Sequence, residues 1–188
     1  MRVQAIYDAC VLYPAPLRDF LVQLAISGPF DARWTNAIHD EWIRNLLKER
    51  PDLDPKALIR TRQLMDIAIG GDLVERYELW MDELVLPDPN DRHVLAAAIH
   101  SSAHAIVTFN VADFPSKILT PYAVEALHPD DYIGCIIEVS PKVVCMAEKI
   151  CRLRLKKPPF TVEEYIKCLA KQQLTATAAF LRENTHEI

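Results

Sequence analysis

An α/β body built on a short parallel sheet, followed by a helical extension, is the fold this sequence predicts. Three observations carry the prediction. A short, mostly apolar run, RVQAIYDA, stands at the N-terminus, and a second one, HAIVTFN, stands far down the chain. Between them lie helical periodicities of the kind that cross back over a sheet. Beyond Pro121 the pattern turns to helices.

The first run reads as a buried strand ending at Asp8. After YPAP, the spacing of Leu17, Phe20, Leu21 and Leu24 predicts a helix that SGPFD ends. A second helix is expected from Thr35 to about Arg50, with Ile38, Trp42 and Leu46 as its apolar stripe and Glu41 on the flank beside Asn45. ERPDLDP breaks it. A third helix follows from Pro55 to about Ile69, Gly70-Gly71 interrupts, and an amphipathic piece carries Leu79 and Trp80. A helix from Asp91 to His100 then leads into the HAIVTFN strand. In the C-terminal part, DDYIGCIIEV fits strand or helix. Ser140-Pro141 reads as an N-cap with proline at the first helical position, Thr161 with Glu164 as a capping box, and Leu174 to Leu181 as a last helix. The expected division is a body of residues 1–125 and a packed helical extension of 126–188.

A chain of 188 residues with 51% hydrophobic residues can bury a full core. No apolar run of membrane-spanning length and no leader-like start appears, so a soluble, cytoplasmic protein with no membrane partner is expected. The five cysteines include no C-x-x-C pair and read as reduced, small core residues. With 21 basic against 26 acidic residues, the net charge of −5 offers no general attraction for nucleic acid. An acidic pocket that binds divalent cations escapes that objection, because the ions reverse the local sign. The one dense basic cluster is Arg152, Arg154, Lys156 and Lys157, either a solvated helix end or a contact for a phosphate backbone.

Four acids stand out by position. Asp8 follows the first strand, Glu41 flanks an early helix, Asp91 opens a helix, and Asp113 follows the second strand. Wound at 100° per residue, Asp91 falls among Val94, Leu95, Ala98 and Ile99, the apolar side of its helix. A carboxylate aimed at a core needs a partner. Because strand ends and helix N-termini share one crevice in an open parallel sheet, Asp8, Asp91 and Asp113 can converge there. Gathered carboxylates repel one another, and hard divalent cations with an oxygen preference, Mg²⁺ or Mn²⁺, relieve the repulsion. That combination suits hydrolysis of a phosphodiester.

In the stretches AIYDACVLY, HDEW and PDPNDRHVLAAAIHSSAHAIVTFNVADF the sequence resembles the PIN-domain family of metal-dependent ribonucleases, which includes toxins of bacterial toxin–antitoxin pairs. The resemblance implies a three-layer α/β/α fold and a Mg²⁺ or Mn²⁺ ion held by Asp8 and Asp91. It also implies that Glu41 and Asp113 complete the acidic cluster, with Thr108 or Asn110 supporting the ligands by hydrogen bonds. An RNA substrate, a homodimer and an antitoxin partner are carried with it. Two departures stand out: the helical segment after the catalytic part, and Asn110 where many relatives carry an acid.

Three other readings are open to the residues. A phosphatase of the haloacid-dehalogenase type needs a second acid two residues after Asp8, and that position is Cys10. His100 and His104 have zinc-ligand spacing, but the same winding gathers His93, His100 and His104 opposite Asp91, with no further ligand at hand. They are expected to form a solvated or subunit-facing stripe. The third is a binding module that keeps the fold without the catalysis and acts through its helical extension.

Overall fold

The protein is described by a computed structural model covering residues 3–71 and 73–188. In chain order its elements are strand β1 (Val3–Tyr7), helices α1 (Ala9–Leu12) and α2 (Ala15–Ser27), strand β2 (Phe30–Arg33), helices α3 (Asn36–Glu49), α4 (Pro55–Ala68) and α5 (Arg92–His100), and strand β3 (Ala105–Val107). Helix α6 (Ser116–Leu119), strand β4 (Glu125–Leu127) and helices α7 (Pro129–Val139), α8 (Pro141–Arg154), α9 (Val162–Ala170) and α10 (Thr175–Glu183) complete the chain. The strands form one parallel sheet in the order β2-β1-β3-β4. Right-handed crossovers send the chain one way from β1 to β2 and back past β1 to β3, which puts α2 and α5 on opposite faces. The expected three-layer α/β/α architecture with C-terminal helices is the one observed.

Local chemistry explains most boundaries. Thr35 accepts from the backbone N–H of Ile38 at 3.1 Å and starts α3, and Asp54 accepts from Lys56 at 2.9 Å to start α4. Thr161 and Glu164 make the expected capping box on α9. Helix α2 stops at Gly28, where a Cβ would lie 2.7 Å from the Leu24 carbonyl oxygen. Gly70 and Gly71 turn the chain with φ of 88° and 82°, which glycine adopts without strain.

Five features depart from the sequence reading or resolve it. Strand β2 lies where SGPFD was read only as a helix end, and β4 was unread; β4 also straddles the 125/126 division. DDYIGCIIEV is helical, as α7. The piece with Leu79 and Trp80 is a 3-10 helix, Tyr77–Glu83, that buries Tyr77 and leaves Leu79 and Trp80 exposed. Helix α5 is buried on nearly every side from Val94 to Ala98, including Ala97, because it packs against β1, β3 and the 3-10 helix. Ser140 starts α8 without a side-chain cap bond.

The extension is stitched to the body by its own side chains. Tyr132 of α7 meets Tyr7 of β1 edge to face, with centroids 5.8 Å apart and hydroxyls 3.2 Å apart. Each such buried ring contributes on the order of 2–3 kcal/mol by area. Asp130, at the start of α7, accepts four hydrogen bonds from the start of α10: the N–H of Ala176 and Thr177 at 2.8 and 2.9 Å, and the hydroxyls of Thr175 and Thr177 at 3.3 and 2.7 Å. One carboxylate therefore caps α10 from another helix. Arg18 of α2 donates to the Leu12 carbonyl at 2.9 Å with its guanidinium 4.8 Å from the Trp42 ring, and so ties α1, α2 and α3 together.

Candidate active site

In a parallel sheet, the carboxyl ends of neighbouring strands open a crevice where the strand order reverses, here between β1 and β3. Tyr7 stands opposite Val107, and the Asp8 N–H donates to the Val107 carbonyl at 3.1 Å. The next residues on the two strands, Asp8 and Thr108, therefore meet. The Thr108 hydroxyl donates to Asp8 Oδ2 at 2.7 Å and accepts from the Asn110 N–H at 3.0 Å. Asp8 Oδ1 accepts from the Ala9 N–H at 2.6 Å and so caps α1, while Cys10 Sγ donates to Oδ2 at 3.1 Å. Asp8 is only 4% exposed. A carboxylate has about four lone-pair sites, and these donors fill three of them, which leaves one on Oδ1.

The loop before α5 sets Asp91. Asp88 accepts from the backbone and side-chain N–H groups of Asn90 at 2.8 and 2.9 Å and so starts the 3-10 turn Pro89–Asp91. Asp88 does the capping, so Asp91 is spared it: its carboxylate makes no cap bond on α5. Asp91 is half-exposed at the mouth of the crevice rather than aimed into the core. The 3-10 turn winds faster than an α-helix and shifts Asp91 off the stripe that a continuous helix would give it. Burial first, then the charges of Asp8, Asp88, Asp113 and Glu41, raise Asp91 from the ordinary aspartate range to about 7. Glu41, half-buried on α3, is raised by burial and by Asp8, and the charges of His93 and Arg44 pull it back down. Asp113 closes the 3-10 turn Val111–Asp113, its N–H on the Asn110 carbonyl at 2.9 Å.

Asp8, Asp113 and Glu41 thus all act on the charge of Asp91, and Asp8 acts on that of Glu41. They do not form a closed cage: among the described residues, no three His, Cys, Asp or Glu side chains stand close enough together to hold a metal ion. Mg²⁺ is a hard ion that prefers oxygen, keeps several waters and takes only one or two carboxylates directly. The donor set, all carboxylate oxygens with an open lone pair on Asp8 and an uncapped Asp91, fits that ion.

Two residues of the site escaped the sequence reading. Cys10 is not a plain core residue: its thiol lies against Asp8 and 3.3 Å from the Thr108 hydroxyl, and burial, then the Asp8 charge, push it up to about 12. Only its position two residues after Asp8 signalled this. His93 is not part of a stripe facing away from Asp91. Its Nδ1 lies 2.8 Å from the Asn90 carbonyl, which fixes the ring at the helix start with Nε2 3.6 Å from Glu41 Oε2. First-turn side chains lean toward the helix N-terminus, and this carries His93 round to the acids.

The basic cluster divides between packing and solvent. Arg152 donates to the buried Glu148 at 2.8 Å and Arg154 to Gln23 at 2.7 Å, both packing contacts of α8, whereas Lys156 and Lys157 are exposed. The basic side chains that act on Glu41 are His93, when protonated, and Arg44.

Residues 4–112 match the PIN domain. The chain belongs to the PIN-domain family. Residues 129–183 match a second family model, the VapC50 C-terminal domain, so the helices that depart from the compact pattern have their own counterpart. A Mycobacterium tuberculosis (strain ATCC 25618 / H37Rv) protein described as "putative ribonuclease VapC50" is 39% identical over 85 residues, which is 44% of this chain and 48% of that protein. The chain thus spans about half the length of the curated relative it matches. No solved structure matches it.

Proposed function

We propose that this PIN-domain chain is a Mg²⁺- or Mn²⁺-dependent endoribonuclease and the toxin of a cytoplasmic toxin–antitoxin pair. The observation that carries the reading is the convergence of Asp8, Glu41, Asp91 and Asp113 at the β1/β3 switch point, with Asp91 raised to about 7. The name of the mycobacterial relative supports the ribonuclease assignment.

Asp8 and Asp91 would hold the cation, and Glu41 and Asp113 would complete the site. A cation there supplies charge neutralisation and a more acidic water at a phosphodiester. The residues divide the remaining work. Thr108 and Cys10 donate to Asp8 Oδ2 and keep Oδ1 turned to the crevice, and Asn110 steadies Thr108 through its N–H. Glu41 Oε2, raised by burial and steadied by His93, is poised to take the proton of an attacking water. Residues 1–125 would form the nuclease, tied by β4 to an extension of residues 126–188. In that extension, Lys156 and Lys157, beside Arg152 and Arg154, would meet the RNA backbone. A homodimer and an antitoxin whose tail enters the crevice belong to the same reading. Among the described residues, no helix is long and apolar enough to cross a membrane.

The test is cleavage of structured and single-stranded RNAs by the purified chain with Mg²⁺, Mn²⁺ or EDTA. Cutting with either metal and none with EDTA is expected. Absence of cutting in every condition would sink the reading and leave the non-catalytic binding module. A sharper expectation concerns Thr108. Thr108→Val keeps the shape but removes the donor to Asp8, so Mn²⁺ affinity by calorimetry is expected to fall about 10–100-fold, with Thr108→Ser close to wild type. Equal affinities in all three proteins would remove Thr108 from the site.

A further inference from the structure

A groove of about 450 Å³ runs outward from the acids, entered past Cys10 and Glu41 and continued by Tyr13, Asn45, Lys48 and Glu49. We propose that it is a subsite for one unpaired nucleotide of single-stranded RNA, held next to the cleavage point. The proposal rests on the nuclease reading for its substrate class.

The geometry supplies each contact such a nucleotide needs. Tyr13, the residue that closes α1, donates its hydroxyl to Glu49 Oε2 at 2.6 Å. That bond uses the hydroxyl's proton and tethers the far end of the side chain, so what Tyr13 chiefly adds to the groove lining is an aromatic face. A nucleobase stacks on such a face whatever its identity. Asn45 and Lys48 stand four and seven residues after Glu41 on α3, along one side of the helix and about 10 Å from end to end. Both are exposed, and neither side chain has a hydrogen bond or ion pair among the described residues. Asn110 reaches the same groove from the other wall, with its backbone N–H committed to Thr108.

Two free amides can meet the donors and acceptors on a base edge, which is available only where the base is unpaired. The hydrogen bond from Tyr13 orients Glu49 without cancelling its charge, and Lys48 is the cation among the residues that line the groove. A lysine there meets the next phosphate, away from the acids that need cations to approach one. An RNA strand lying this way places its backbone from Lys48 toward Glu41 and delivers the neighbouring phosphodiester to the crevice.

The test uses the full chain carrying Asp91→Asn, so that substrate is bound and not cut, and a short fluorescent single-stranded RNA read by anisotropy. Tyr13→Ala is expected to weaken binding about tenfold, and Tyr13→Phe less than threefold, because the ring face rather than the hydroxyl makes the contact. Lys48→Ala is expected to lower the salt slope by about 0.7, and Asn45→Ala to weaken binding severalfold. Fully paired RNA is expected to show no dependence on Tyr13. Asn45 and Lys48 are exposed helix positions, so their variants decide the matter if Tyr13→Ala fails to fold. Equal affinity of Tyr13→Ala and Tyr13→Phe, or no binding by any variant, would overturn the subsite.

In the cleavage-competent chain, Tyr13→Ala is expected to raise KM with little change in kcat. Cutting that ignores Tyr13, Asn45 and Lys48 sinks the subsite and leaves the nuclease standing. Tyr13-dependent binding in a chain that never cuts sinks the nuclease and leaves the subsite.

Discussion

Asp91→Asn is expected to abolish RNA cleavage and, at neutral pH without metal, to make the protein more stable than wild type. The two effects share one cause. Partial burial, then the charges of Asp8, Asp88, Asp113 and Glu41, raise this carboxylate to about 7, well above its value in an unfolded chain. Between about pH 4 and 7 the folded protein keeps a proton on Asp91 that the unfolded chain has released, so stability falls as pH rises through that window. Asparagine cannot ionise and escapes the penalty. Asp91 is half-exposed, so solvent screening reduces the gain to on the order of 1–2 kcal/mol, or about 2–6 °C in Tm for a chain of this size. Metal reverses the comparison: saturating Mg²⁺ should raise the wild-type Tm by several degrees and leave the variant unmoved. Loss of an interaction worth several kcal/mol to a metal-assisted step lowers the rate by about 10²–10⁴. Tm scans at pH 5 and 8, with and without Mg²⁺, beside cleavage rates make the check. A variant that cuts like wild type, or that is less stable than metal-free wild type at pH 8, contradicts this account of the site.

Asp130→Ala is expected to be the most damaging single change in the C-terminal helices. The carboxylate is buried and takes four hydrogen bonds from Thr175, Ala176 and Thr177, so its removal leaves the first turn of α10 without acceptors. Charge-assisted bonds of this kind, and unsatisfied buried donors once they are lost, make the cost about 2–4 kcal/mol. In Tm this is roughly 5–15 °C. Asp130→Asn keeps one oxygen as an acceptor and should cost about half as much. Thermal unfolding with limited proteolysis of α9 and α10 reads the effect. A Tm within a degree or two of wild type in Asp130→Ala would mean that the Tyr7–Tyr132 ring contact, not the cap, joins the extension to the body.

Sequence patterns carried the long helices and the two central strands because their periods are long or their runs wholly apolar. Strands β2 and β4 escaped notice because they are edge strands of four and three residues: FDAR does alternate, with Phe30 and Ala32 buried, but over only two periods, and EAL shows no alternation. The crevice was legible in outline. Position after a strand or at a helix start marked Asp8, Asp91 and Asp113, and the charges of Asp8, Asp113 and Glu41 are felt at Asp91. The pairing of Thr108 with Asp8 entered through the family resemblance, and the strand register supports it. His93 was misplaced because a uniform 100° winding does not know that Asp91 sits in a 3-10 turn. Cys10 was misread because its role comes from a contact with Thr108, which lies next to it only after β1 and β3 have paired. The packing uses of Arg152 and Arg154 rest on Glu148 and Gln23, partners that no local spacing announces.

The hydrogen bond from Thr108 to Asp8 joins residues a hundred positions apart in the α/β body, and it has a consequence for synthesis. A ribosome adding about 5–20 residues per second releases Asp8 roughly 5–20 s before Asp113. Throughout that interval a nascent chain has β1 but no β3 beside it, and its first aspartate lacks the donor that orients it. A half-made chain therefore holds no assembled acidic crevice while it is still attached to the machinery that makes it. The crevice closes only as β3 docks, so the register of two short strands sets the moment at which the acids come under one another's influence.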